Sequence, residues 1–253
     1  MGAALVAGLL AAGWAGAEEL LVVEPVGARR DELAAAHPGL AVAAAIPGPA
    51  DGAVVAVKPD DVEAACVALA GSGTRRVLSI AAGVTLAKLE AWLPQGAAVV
   101  RAMPNTPALV GCGAAAIAGG TGATEADLAW AEEVLSAVGT VARVGEPLLD
   151  AVTGLSGSGP AYVFLVAEAL VEAGVAVGLP RTVSEALTAQ TLLGSARLLA
   201  ESGQRAEALR AAVTSPGGTT AAGLAALEKR AVRAAFLEAV EAATDRSRQL
   251  GEA

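Results

Sequence analysis

The run Arg76-Val77-Leu78-Ser79-Ile80-Ala81 leads through Ala82-Gly83 and a helical stretch at 85–92 into Ala97-Ala98-Val99-Val100-Arg101-Ala102, and this passage decides the fold. Two short, almost continuous apolar runs read as strands buried on both faces. The helical stretch between them supplies the crossover that parallel neighbours require. Outward from this passage, residues 19–24, 41–46, 52–58 and 140–144 also read as strands, and 27–36, 60–70 and 124–138 as helices. Alternation of this kind predicts an α/β fold with a doubly wound parallel sheet. Past Gly145 only helices follow, at about 147–154, 160–177, 182–202, 205–213 and 220–250, punctuated by Pro180 and the turn Ser215-Pro216-Gly217-Gly218. The expected boundary places a dinucleotide-binding domain at 1–145 and an all-helical domain at 146–253.

Hydrophobic residues make up 55% of the 253 and aromatic residues only 2%, so the core must be built from Ala, Val and Leu. Each such side chain buries little area, which points to surface buried between subunits. The net charge of −9 gives no basic patch for a nucleic-acid backbone. Cys66 and Cys112 stand in no ligand spacing, and His37 is the only histidine. No metal site is expected, and a Ser-His-Asp triad would depend on one loop histidine.

Residues 1–17 imitate a secretory apolar region and end in Ala15-Gly16-Ala17, but they lack a positively charged start. The preferred reading is a cytoplasmic protein whose first helix ends at Gly13. The apolar stretch 161–177 is interrupted by Glu168 and Glu172 and reads as a buried or interfacial helix rather than a membrane span.

Three strand ends carry polar, Gly or Pro residues where a parallel sheet presents its ligand face: Ala56-Val57-Lys58-Pro59, Ser79-Ile80-Ala81-Ala82-Gly83 and Met103-Pro104-Asn105-Thr106-Pro107. Glu24 ends the strand after the first helix, about twenty residues past Gly2, where an acid bonds ribose hydroxyls. Arg29 and Arg30 lie just beyond and suit a 2′-phosphate instead. NADPH or NADH is therefore the expected cofactor, with a lean to NADH. Gly154-Leu155-Ser156-Gly157-Ser158-Gly159-Pro160 follows no strand and lacks the Lys-Ser or Lys-Thr of a phosphate loop. It reads as a bend in tightly packed helices. Val213-Thr214-Ser215-Pro216-Gly217-Gly218-Thr219-Thr220 turns sharply into a helix start, where consecutive amides suit a carboxylate or phosphate, or where Thr serves as a cap.

That last segment, continued to Leu227-Glu228, resembles the signature of pyrroline-5-carboxylate reductases. The segments at 56–59, 81–85, 103–107 and 150–162 resemble the same family, in order along the whole chain. The resemblance implies a Rossmann-type domain and an all-α dimerisation domain, assembled as a homodimer or a ring of dimers. It implies hydride transfer from NADPH or NADH to 1-pyrroline-5-carboxylate, giving L-proline. It implies that Ser215, Gly217, Gly218 and Thr219 hold the substrate carboxylate and that Thr220 bonds the ring nitrogen as the catalytic residue. Glu146 matches a position near the substrate, and Gly2, Val57, Lys58, Pro59, Ala81, Ala82, Gly83, Met103 and Asn105 match the cofactor side.

The family opens with a strand and a glycine-rich turn of which Met1-Gly2 match only the end, so a first strand is expected to be missing and its neighbours unpaired. The reading for this is a start codon placed at an internal Met. The loop between 41–46 and 52–58 also lacks an asparagine that some members carry near the adenine end. Two alternatives differ in class. One is a 3-hydroxy-acid reductase of the same layout, which needs a Lys in the helical domain, where only Lys229 is present. The other is an inactive truncated homologue, a dimeric binding protein with an impaired cofactor site.

Overall fold

The computed structural model describes residues Met1–Glu252. They gather into two compact units, one made of Met1–Ser158 with the chain from Glu241 on, the other of Gly159–Val240.

The first unit contains α1 (Gly2–Ala11), β1 (Leu21–Val23), α2 (Gly27–Ala36), β2 (Ala41–Ala43), β3 (Ala53–Val55), α3 (Val62–Ser72), β4 (Arg76–Ser79), α4 (Leu86–Trp92), β5 (Ala98–Met103), β6 (Gly113–Gly119), α5 (Glu125–Ser136), β7 (Gly139–Arg143) and α6 (Leu149–Val152). Strands β3 to β7 form one sheet in sequence order, and β1 pairs with β2 in a second, two-stranded sheet. All pairings are parallel except β5 with β6.

The sheet of the first unit has helices on both faces, and β4 and β5 show why. Val77 and Val99 point to one side and join Val62 and Cys66 of α3, Leu86 and Leu89 of α4 and Leu149 of α6. Leu78 and Val100 point to the other and join Leu5 and Leu9 of α1 with Ala131, Val134 and Leu135 of α5. Successive side chains alternate across a strand, so a continuous apolar run serves two cores at once.

Strand β6, antiparallel to β5, is an addition to the sequence reading of a parallel sheet, which gave no strand at 113–119. Its composition, Gly-Ala-Ala-Ala-Ile-Ala-Gly, has Ile117 as its single β-branched residue and is otherwise Ala and Gly, which do not mark strands. It runs antiparallel because only a short loop with the 3-10 turn Thr106–Val110 separates it from β5, too short for a parallel crossover. Small residues are required where it meets β7: a Cβ on Gly139 would lie 2.0 Å from the Gly113 carbonyl oxygen.

The N-terminal apolar segment is the packed helix α1, with Gly13 beyond its end at φ +65° and Leu5 and Leu9 buried. Gly8 lets it approach the end of α5, since a Cβ there would lie 2.2 Å from Val138 Cγ1. One edge of β1 and one edge of β3 have no strand partner among the described residues. Both strands are apolar, and β1 leaves Leu21 44% and Val23 41% exposed.

Asp127 locks the start of α5 to β4. Its carboxylate accepts from the Thr124 N–H and hydroxyl and from Arg76 Nε at 2.7 Å, while the Arg76 guanidinium lies over the Trp130 ring. Burial pushes its pKa up, but the Thr124 and Arg76 bonds outweigh burial and hold it below the usual carboxylate value. A depressed folded pKa gives stability that is present above the unfolded value and lost as pH falls through the folded one. Asp127→Asn is expected to cost about 1–2 kcal/mol at pH 7. The deficit should shrink as pH falls below about 4; urea melts of both proteins between pH 7 and pH 3 read it, and a pH-independent difference would reject the assignment.

The second unit holds α7 (Gly159–Ala176), α8 (Arg181–Glu201), α9 (Ala206–Ala212), α10 (Thr219–Lys229) and the first part of α11 (Val232–Glu252). The expected single helix at 220–250 is two, broken at Arg230-Ala231, where Ala231 takes φ +54°. This left-handed conformation costs a residue with a Cβ roughly 1–2 kcal/mol. Neither Gly nor Pro marks the break. At α7–α8, a Cβ on Gly174 would lie 2.2 Å from Ser184 Oγ, and that hydroxyl donates to the Val171 carbonyl. Ser184 is the one buried residue of this unit among those described. Phe164 and Leu165 are 62% and 65% exposed. The apolar helix predicted here as buried or interfacial is therefore not buried within its own chain. The run Glu146–Ala176 is long and apolar enough to cross a membrane, with mean hydropathy 1.4.

Candidate active site

Strands β3 and β4 end level, with Val55 opposite Ser79, and β5 runs on two residues past Arg101, the partner of Ser79, to end at Met103. This register brings the three segments chosen from sequence to one edge of one sheet, the edge where open α/β sheets bind ligands. After β3, Val57 and Lys58 are exposed and Pro59 opens the 3-10 turn that leads to α3. After β4, the Ala81 N–H donates to Ser79 Oγ, and Gly83 turns the chain at φ +75°. Thr85 then caps α4 by accepting from the Lys88 N–H. The start of α1 lies at the same edge, because a Cβ on Gly2 would be 3.3 Å from Ala56 Cβ.

After β5, Asn105 is buried, and its amide is used on both sides. Its Nδ2 donates to the Ser156 carbonyl at 3.0 Å, and its Oδ1 accepts from the Ala114 N–H at 2.8 Å. The Ser156 carbonyl belongs to a π-helical turn, Thr153–Gly157, that continues α6. The glycine-rich segment at 154–160 is this turn and the start of α7. A Cβ on Gly157 would come to 2.6 Å from Met103 Cε, so the absence of a side chain there permits the contact. Widened turns of this type occur often at functional sites.

Glu146 stands in a 3-10 turn after β7. Its Oε1 accepts from Arg101 Nη1 at 2.9 Å and from the Leu86 N–H at 2.7 Å. Arg101 is the residue that the sequence reading passed over. The signal was present: a guanidinium inside an apolar run on a two-sided strand needs a buried partner. Glu24 follows β1, in the other sheet. Its Oε1 accepts from the Val26 N–H, and Arg30 Nη1 donates to the Glu24 and Pro25 carbonyls. Glu24, weighed for the ribose, is thus tied to Arg30 of α2, which was weighed with Arg29 for a 2′-phosphate.

In the second unit, Gly217 adopts φ +71° and the Gly218 N–H donates to the Ser215 carbonyl, closing the turn. A Cβ on Gly218 would meet Ser215 Oγ at 2.5 Å. Gly218 is the N-cap of α10 and offers no side chain to its first turn. The leading amides of α10 therefore lack a side-chain cap, beside the Thr219 and Thr220 hydroxyls. Such a helix start attracts an anionic group. Lys229 is the last residue of α10, remote along the helix from this turn. No three His, Cys, Asp or Glu side chains converge as a metal site among the described residues.

Comparison with known proteins adds three findings. Residues 146–250 match the family described as pyrroline-5-carboxylate reductase dimerisation. The chain is 45% identical to a pyrroline-5-carboxylate reductase of a Synechocystis strain, over all of this chain and 95% of that one. Among solved structures, a pyrroline-5-carboxylate reductase from Coxiella burnetii superposes with TM-score 0.91 at 37% identity, covering 98% of this chain and 93% of the other. Plasmodium falciparum pyrroline carboxylate reductase with NADP bound gives TM-score 0.85 at 32% identity, covering 99% and 94%.

Proposed function

This chain belongs to the pyrroline-5-carboxylate reductase family, and we propose that it reduces 1-pyrroline-5-carboxylate to L-proline with NADPH or NADH. The observation that carries the reading is the 45% identity over the full chain. The turn at Ser215–Gly218, closed at the start of α10, supports it. Residues 1–145 bind the dinucleotide, and residues 146–253 bind substrate and form the dimer or ring of dimers. No observation favours an inactive binding protein.

The residues fit a dinucleotide. Gly2, Val57, Lys58, Pro59, Ala81, Ala82, Gly83, Met103 and Asn105 belong to one sheet edge and the helix start beside it. Glu24 meets the adenosine ribose, or Arg29 and Arg30 meet its 2′-phosphate. The bound cofactor supplies a hydride for the imine carbon. The chain supplies the rest: amides of Ser215, Gly217 and Thr219, in the turn that the Gly218 N–H closes onto the Ser215 carbonyl, hold the carboxylate, and Glu146 is assigned to the substrate side. Thr220 Oγ1 orients the ring nitrogen, which stays protonated as the C=N π electrons move onto it. A protonated imine is already an electrophile, so positioning supplies much of the rate. Several features support a cytoplasmic, membrane-free protein: α1 is packed in the sheet core, and the apolar α7 lies in the segment matched to dimerisation.

The test is oxidation of NADH and of NADPH, in parallel, with racemic pyrroline-5-carboxylate and the chain as given. Imine-dependent oxidation of either is expected. Proline absent from the products, with both cofactors bound, would overturn the reading.

A further inference from the structure

We propose that Arg101 is a positioning residue for hydride transfer, acting through Glu146 on the Ala81–Thr85 loop. The inference rests on the proposed function, which gives that loop to the cofactor.

Arg101 is the only buried Lys or Arg among the described residues. It lies on the same face of β5 as Val99, toward α3 and α4. Its side chain is 8% exposed and meets Glu146 Oε1 at 2.9 Å. The same oxygen accepts from the Leu86 N–H at 2.7 Å, where the loop after β4 enters α4. One carboxylate oxygen thus ties three chain segments: the middle strand β5, the exit of the loop and the turn after β7. The loop is also held from its other side. Leu250 of α11 lies against Gly83, within 3.5 Å of where a Cβ would stand, and Ser247 Oγ donates to Asp150 at 2.7 Å.

A buried ion pair is a poor way to gain stability, since apolar residues of like size often do as well. It is a good way to fix direction, because a guanidinium N–H and a backbone N–H converging on one oxygen leave the carboxylate little freedom. Without Arg101, Glu146 can follow water, and the exit of the loop loses its anchor. Small displacements at a cofactor wall are costly, since about 1 Å of misplacement can lower a rate a hundredfold.

The test compares wild type, Arg101→Lys, Arg101→Met, Glu146→Gln and the double variant Arg101→Met/Glu146→Gln, all assayed well below their melting midpoints. Arg101→Met is expected to lower kcat about tenfold to a hundredfold and to raise the cofactor KM, with a smaller change in the imine KM. Arg101→Lys should recover part of the loss. The double variant should be no worse than its worse single, because both act through one contact. Hydrogen exchange in peptides spanning 81–88 should speed up in Arg101→Met and Glu146→Gln alike. Should Arg101→Met fail to fold, Arg101→Lys with Glu146→Gln carries the same comparison. Additive losses, or a lowered melting point with unchanged kcat and KM, would overturn the inference. An inactive wild type would instead overturn the reading beneath it.

Discussion

Thr220→Ala is expected to lower kcat about a hundredfold while leaving cofactor affinity within twofold. Thr220 is the second residue of α10, behind the N-cap Gly218. Ala is a better helix former than Thr, so the substitution does not weaken the helix and the loss reports on the hydroxyl. A group that handles a proton or orients a reacting atom contributes about 10²–10⁴-fold. Thr220→Ser should keep most activity and Thr220→Val should resemble Ala. Steady-state kinetics with a cofactor titration separates the outcomes: unchanged kcat in Thr220→Ala removes the hydroxyl from the mechanism, and lost cofactor binding moves it to another role.

The second large effect concerns assembly. Within Gly159–Val240 no hydrophobic side chain is buried, while Phe164, Leu165, Val177, Leu187 and Leu193 stand exposed. A helix bundle without a core of its own needs a partner surface. A second copy is the occupant that the matched dimerisation family names. Replacing Phe164 and Leu165 together by Asp would bury unpaired charge in that interface, at several kcal/mol. The variant is expected to elute as a monomer, with helical circular dichroism reduced and melting independent of concentration, whereas wild type melts higher as its concentration rises. Arg197→Ala, on an exposed i,i+4 ion pair, serves as the control that changes nothing. A monomeric wild type with intact helicity would remove the dimer.

Much of this was legible in the residues, and the misses have identifiable causes. Val77, Leu78, Val99 and Val100 declare two-sided strands because an apolar residue on every position has no solvent face to serve. Strand β6 escaped because Ala114, Ala115 and Ala116 carry no strand preference. Its place comes from neighbours that admit only small side chains. The break at Ala231 escaped because nothing in Lys229-Arg230-Ala231 forbids a helix locally.

The alternation of elements, the polar and Gly/Pro strand ends and the sharp turn at Ser215–Thr220 are all readable in the residues alone. Each depends on local periodicity or on Gly and Pro, whose backbone limits act within a few residues. It takes the folded chain to bring Arg101 and the Leu86 N–H onto one Glu146 oxygen and to let Asn105 span β6 and the π turn. These partners lie 45, 60, 51 and 9 residues apart. Desolvation of a charge or an amide is satisfied by whatever the fold brings near, and the identity of that partner is not written beside it in the chain.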